Sequence, residues 1–325
     1  MANNLAIIGA GAWGSALAIA LSGKFEKIWL YAHTAEEANT LKPQHSALGV
    51  PYSDNIEILS DPSELSQVND ILLAVPSYGF SSTLETIKPH LGDQHQLAWV
   101  TKGFDPISGG FLHESFERIL PNKQACVISG PSFAFEVAEH KPTAVVVASN
   151  DTDTREYFSE LIQTQSLRAY TNADLVGVEV GGSVKNILAI AAGIASGLGF
   201  GANTQAALIT RGLAEMTRLG LALGADKATF MGLSGLGDLV LTCSDDLSRN
   251  RRFGKELAKG HNIKQALDNV GATVEGLNAL ELVLSIANQH QIEMPICEQV
   301  YAVVQGQISP TEAVSQLMSR EQTGE

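Results

Sequence analysis

The sequence predicts a doubly wound α/β sheet followed by an all-helical unit, and three observations carry that prediction. Short β-rich runs alternate with helical segments through the first half of the 325-residue chain. Several of those runs are continuously apolar, as strands covered on both faces must be. After about Thr171 such runs nearly vanish, and long Ala/Leu/Ile/Glu-rich segments at helical spacing take over. The length also exceeds that of one ordinary domain. A doubly wound α/β domain over residues 1–180 and an all-helical domain over 181–325 are therefore expected.

The expected strands are Leu5–Gly9, Lys27–Tyr31, Ile56–Leu59, Asp70–Val75, Gln96–Thr101, Ala125–Ser129, Thr143–Ala148 and Leu167–Tyr170. Between them the pattern predicts helices over Trp13–Ser22, Ala35–Leu41, Pro62–Val68, Ser77–Ile87 and Thr154–Gln163, which points to a parallel sheet. In the second half, helices are expected over Ser183–Leu198, Thr204–Leu223, Ala225–Phe230, Arg252–Lys259, Val274–His290 and Met294–Gln305. Gly220, Gly224, Gly260 and Gly306 stand where helix C-caps would be needed. Glu321–Glu325 is expected to fray.

Composition narrows the partners. Hydrophobic residues make up 45% and charged residues 17%, as in a folded globular protein, and the net charge is −14. That charge argues against nucleic acid or an anionic membrane. A phosphorylated ligand would need locally concentrated cations, and the dense basic cluster is Arg249, Arg251, Arg252 and Lys255. Cys126, Cys243 and Cys297 form neither a metal-ligand spacing nor a disulfide framework, which suits a cytoplasmic location. Leu5 to Leu21 is apolar but has no basic residue before it, unlike a signal peptide. Ile187 to Phe200 falls short of the ~20 residues that span a bilayer and is expected to be a helix buried in protein.

Gly9-Ala10-Gly11-Ala12-Trp13-Gly14 reads G-x-G-x-x-G after a strand and at the opening of a helix. The first glycine allows the tight turn, the second lets a pyrophosphate approach the backbone, and the third lets the helix sit close to the strand. The helix N-terminus then faces the pyrophosphate. This is a Rossmann fingerprint, and it predicts NAD(P)H as cofactor. An NAD-selective site usually places Asp or Glu about 20 residues on. Tyr31-Ala32-His33-Thr34 stands there instead, so a 2′-phosphate would meet no carboxylate. NADPH is admissible, NADH is not excluded, and His33 is placed beside the adenosine ribose.

Four more segments are specific: Val100-Thr101-Lys102-Gly103-Phe104, Ser129-Gly130-Pro131-Ser132-Phe133-Ala134, Gly181-Gly182-Ser183-Val184-Lys185-Asn186, and Gly235-Leu236-Gly237-Asp238-Leu239 followed by Ser248-Arg249-Asn250-Arg251-Arg252. Together with the fingerprint, their order resembles the NAD(P)-dependent glycerol-3-phosphate dehydrogenases of the bacterial type. The resemblance runs from the first strand nearly to the C-terminus. It implies oxidation of glycerol 3-phosphate or reduction of dihydroxyacetone phosphate, supplying phospholipid synthesis. Where many members have Ser then an aromatic before the third glycine, this chain has Ala12 and Trp13. A hydroxyl contact at Ala12 is therefore lost, and Trp13 reads equally as a ring near the nicotinamide or as a core residue.

Oxidising a secondary alcohol requires a base for the hydroxyl proton and positive charge beside the oxygen. Lys185 is the candidate base, as the resemblance also implies. It is read here at the start of an apolar helix, where a solitary ammonium is costly and the helix dipole gives no compensation. Lys102 would be a suitable cationic neighbour and, by resemblance, touches substrate and cofactor. Asp238 is carried over as a third catalytic residue that accepts a substrate hydroxyl or orients Lys185. Ser248, Arg249 and Asn250 offer a hydroxyl, a guanidinium fork and an amide to a phosphate. A helix beginning there would add its own N–H groups. Gly130 and Ser132 would admit substrate, with Ala134 near the nicotinamide. By resemblance alone, Arg249, Thr273 and Glu275 contact the cofactor; Arg251 and Arg252 are given no role beyond the local positive potential.

The competing readings are a ketopantoate reductase or hydroxyacid dehydrogenase of similar architecture, and a non-catalytic NAD(P) sensor. The partner expected is a small phosphorylated substrate, with no nucleic acid and no membrane insertion. A homodimer is compatible with all of these.

Overall fold

The computed structural model describes residues 4–41, 43–45 and 47–319. Glu321–Glu325, expected to fray, lies outside them. The chain divides into two compact units, Met1–Glu179 and Val180–Glu325.

In the first unit eight strands form one sheet: β1 (Asn4–Ile8), β2 (Lys27–Tyr31), β3 (Ile56–Leu59), β4 (Asp70–Leu73), β5 (Gln96–Trp99), β6 (Val127–Ser129), β7 (Thr143–Ala148) and β8 (Leu167–Asn172). Their spatial order is β3-β2-β1-β4-β5-β6-β7-β8. Each expected strand is present, with only its ends displaced. The continuous apolar runs are the reason: Leu5, Ala6 and Ile7 of β1 and Ile71, Leu72 and Leu73 of β4 are wholly buried, as strands covered on both faces must be. Trp99 ends β5 between Phe80 and Phe116, ring centroids 5.5 and 5.2 Å away. Truncating such an aromatic costs about 3–5 kcal/mol.

The strands from β1 to β6 run parallel, but β7 pairs antiparallel with β6, Ile128 facing Val147. β8 then follows β7 in parallel. The all-parallel expectation fails at that junction. Residues 130–142 contain only a five-residue helix, Ala134–Ala138. So short a helix is less than the helical crossover that usually joins parallel strands.

The helices of this unit are α1 (Ala12–Leu21), α2 (Ala35–Thr40), α3 (Ser77–Ile87), α4 (Leu112–Ile119), α5 (Ala134–Ala138) and α6 (Thr152–Ile162). Pro62–Gln67, expected as a helix, is a 3₁₀ helix. The sequence reading passed over α4 and α5. α4 nonetheless buries Leu112, Ser115, Phe116 and Ile119, an i, i+3, i+4, i+7 stripe.

The second unit is helical throughout its described residues. α7 (Leu175–Gly197) begins in the first unit and continues into the second. It is followed by α8 (Ala202–Ala222), α9 (Lys227–Phe230), α10 (Asp238–Ser244), α11 (Arg249–Ala258), α12 (Ile263–Val270), α13 (Glu275–Gln289), α14 (Pro295–Val304) and α15 (Pro310–Met318). α10, α12 and α15 were not expected. α7 is long and apolar enough to cross a membrane, but 94% of its most apolar stretch is buried in the folded chain. It packs backbone to backbone on α11. A Cβ at Gly254 would strike the Ile190 carbonyl, and one at Gly193 the Arg251 carbonyl. Gly224, Gly260 and Gly306 have the positive φ of helix ends. Gly220 does not serve as one: it lies inside α8, where the Phe230 ring fills the space of a Cβ.

Candidate functional site

The sheet order reverses between β1 and β4, the switch point where open α/β sheets receive ligands at the carboxyl ends of their strands. The glycine turn lies there. Gly9 has φ +113°, and a Cβ on it would come within 2.6 Å of the Ala74 carbonyl oxygen beyond β4. A Cβ on Gly14 would run into the Gly9 carbonyl. Protein packing alone thus requires both. Gly11 differs, because a Cβ there would meet nothing within 4 Å. It is the N-cap of α1, where helix N–H groups face outward without a side-chain cap. The cradle suits a pyrophosphate, and only Gly11 among the three owes its identity to what approaches from outside. Ala12 opens α1, and Trp13 is half-buried against the apolar core on both sides of that helix. His33 follows β2 and is exposed.

Other predicted residues of this unit converge beyond β5 and β6. The Lys102 ammonium donates to the Gly130 carbonyl at 3.2 Å, and the Ser132 hydroxyl donates to the same oxygen at 3.0 Å. Gly130 has φ +136° and lies against Val145, so a side chain would be both strained and crowded. Ala134 opens α5.

In the second unit, Lys185 lies in the middle of α7 and not at its start, because the helix begins ten residues earlier at Leu175. The helix dipole therefore adds no cost at Lys185, whereas burial does, since Lys185 is 5% exposed. Gly181 shares its helix face at i, i+4. The bare Gly181 backbone admits the Ser234 carbonyl of a π-turn, Leu233–Gly237, and that turn delivers Asp238 at the start of α10. The Asp238 carboxylate lies 2.5 Å from the Lys185 ammonium, and Asp238 is 1% exposed. Lys185 also donates to the Thr242 hydroxyl at 3.2 Å, which donates in turn to the Asp238 carbonyl at 2.6 Å. Burial disfavours the ammonium and the facing carboxylate favours it, so the lysine is held in place by its partners. Cys243, next to Thr242, is no nucleophile: burial pushes its thiol up to about 12, against the opposing influence of Lys185 and Arg251.

A second cluster begins at the next residue of α7. The Asn186 amide donates to Glu275 at 3.2 Å and its oxygen accepts from Asn250 at 2.9 Å. Asn250 accepts from the Gly276 N–H at 2.9 Å, and Glu275 faces Arg249 at 3.5 Å. Glu275, carried over with no reason of its own, thus positions Arg249 and Asn186. α11 does begin at Arg249, capped by Ser248, whose hydroxyl accepts the Arg251 N–H at 3.2 Å. Arg249 is 43% exposed at that helix start. Arg251 is instead tied to Asp246 and Ser196, a structural use. Thr273 lies exposed ahead of α13. Thr242 and Asn186 were missed. The signal for Thr242 was its place one turn after Asp238, and that for Asn186 its place beside Lys185.

Residues 4–155 match the family model described as the NAD-dependent glycerol-3-phosphate dehydrogenase N-terminus, and residues 174–315 match that family's C-terminus. The chain belongs to this family. A protein named glycerol-3-phosphate dehydrogenase [NAD(P)+] from Ruthia magnifica is 69% identical over 325 residues, covering 100% of both chains. The crystal structure of glycerol-3-phosphate dehydrogenase from Coxiella burnetii superposes with a TM-score of 0.92 at 41% identity, over 98% of this chain and 99% of that one. A ketopantoate reductase from Ralstonia eutropha reaches a TM-score of 0.60 at 17% identity, over 96% and 99%, a likeness of fold alone.

Proposed function

We propose that this chain interconverts sn-glycerol 3-phosphate and dihydroxyacetone phosphate with NAD(P)(H). The observation that carries the reading is the buried Lys185–Asp238–Thr242 network, present in a chain of the glycerol-3-phosphate dehydrogenase family. The cofactor, when bound, supplies the hydride exchange at its nicotinamide ring. Gly9, Gly11, Ala12, Trp13 and Gly14 would hold its pyrophosphate end, and His33, Lys102, Ala134, Arg249, Thr273 and Glu275 the rest. Lys185 gives its proton to the carbonyl oxygen during reduction and takes it back from the hydroxyl during oxidation. Asp238 and Thr242 fix the direction in which that ammonium points. Lys102, with Gly130 and Ser132, provides positive charge and small side chains for the substrate. Ser248, Arg249 and Asn250 at the start of α11 receive the phosphate, aided by the helix N-terminus.

The family match and the SRN run at α11 support this reading over a ketopantoate or hydroxyacid dehydrogenase. Reduction to glycerol 3-phosphate, feeding phospholipid synthesis in the cytoplasm, is the role we assign. The three buried free cysteines support that compartment. The net charge of −14 supports a small phosphorylated partner over nucleic acid or an anionic bilayer. A homodimer is the assembly to test first, by light scattering. In a spectrophotometric assay, purified protein should oxidise NADH or NADPH with dihydroxyacetone phosphate and not with ketopantoate. Turnover of ketopantoate alone, or cofactor binding without turnover of either, would contradict the assignment.

A further inference from the structure

The sequence places no acidic residue at the end of β2, and on that ground a 2′-phosphate was expected to meet no carboxylate. The fold supplies one from elsewhere. Thr34 caps α2, its hydroxyl accepting the Glu37 N–H at 3.1 Å, and the Glu37 carboxylate reaches back to accept the His33 N–H at 2.8 Å. These two bonds fix a partly buried carboxylate against the first residues after β2. Its other oxygen makes no hydrogen bond among the described residues. The same strand end adjoins the glycine turn, since the Gly9 N–H donates to the Tyr31 carbonyl at 2.9 Å. From Ile28 to Leu41 the sequence has Glu36 and Glu37 but neither Lys nor Arg; Lys27 and Lys42 flank that stretch, and Glu37 acts electrostatically on His45.

We infer that Glu37 is the residue that reads the 2′ position of the cofactor's adenosine ribose, and that it sets a preference for NAD(H) over NADP(H). A ribose diol donates hydrogen bonds to a carboxylate. A 2′-phosphate brings more negative charge beside that carboxylate. The inference rests on the dinucleotide reading above.

The test is equilibrium binding of NADH and of NADPH to the ligand-free protein, followed by nicotinamide fluorescence. Wild type should bind NADH more tightly by about tenfold or more. Glu37→Gln should bring the two affinities within about threefold, chiefly by tightening NADPH. A glutamine amide oxygen can accept the same His33 N–H, so this variant should melt like wild type. Glu36→Gln removes an equal charge from the exposed side of α2 and should leave the ratio unchanged. Tighter NADPH binding by wild type, or a ratio indifferent to Glu37→Gln with both cofactors bound, would overturn the inference alone. Failure of both to bind would overturn the dinucleotide reading with it.

Discussion

The glycine turn of the first unit and the α7 clusters of the second are built by opposite means. The turn is built of backbone: Gly9 and Gly14 lack side chains because the Ala74 and Gly9 carbonyls occupy that space, and the start of α1 has no side-chain cap. The clusters work with side chains drawn from α7, α10, α11 and the start of α13, residues far apart in sequence. A backbone site tolerates side-chain change where nothing is packed and fails where it is. A side-chain site loses its function with one truncation, and the fold can survive.

Variants that separate these two kinds of construction follow in order of expected effect. Lys185→Ala should lower kcat by about 10²–10⁴, with NADH affinity unchanged in a fluorescence titration; near-normal turnover would move the proton transfer elsewhere. Arg249→Ala removes a charged hydrogen-bond donor worth about 1.5–3 kcal/mol. The Michaelis constant for dihydroxyacetone phosphate should therefore rise by roughly ten- to a hundredfold. Equal losses with an unphosphorylated ketone would show that Arg249 does not read phosphate. Gly14→Ala should destabilise the first unit by about 1–3 kcal/mol through overpacking, whereas Gly11→Ala should melt like wild type and bind NADH more weakly. If both variants melt alike, the distinction between packed and ligand-facing glycines is wrong.

The smallest effect concerns pH. Glu215 on α8 is buried, and although it accepts the Ile296 N–H at 2.7 Å at the head of α14, burial pushes its carboxyl up to about 7. A carboxyl whose folded pKa is raised favours the folded state below its unfolded value of about 4.3. That contribution is lost as pH rises through about 7. Between pH 5 and pH 8 wild type should therefore lose about 2–4 °C of Tm relative to Glu215→Gln. Parallel melting curves would exclude it.

These contrasts also explain what the sequence disclosed. The eight strands were legible because burial on both faces forces continuous apolar runs, and the glycine turn because its geometry forces a fixed spacing. The direction of β7 was hidden, since it depends on how far α5 can carry the chain. Lys185 could be singled out as an ammonium in an apolar helix, but its place within that helix could not, because Leu175–Ser183 continues the same apolar texture. Thr242 and Asn186 acquire meaning only through Asp238, Asn250 and Glu275, partners that tertiary packing provides. Glu37 lay between these cases: Thr34-x-x-Glu37 announces a helix start, yet only the folded turn shows that its carboxylate closes on His33 after β2.

The central claim is that the Lys185 ammonium exchanges the proton, and adding a small primary amine to Lys185→Ala tests it most directly. The account predicts that methylamine restores measurable reduction of dihydroxyacetone phosphate, with rates following the pKa of the amine supplied. A variant that binds NADH normally yet gains nothing from any amine, or that needs none, would contradict it.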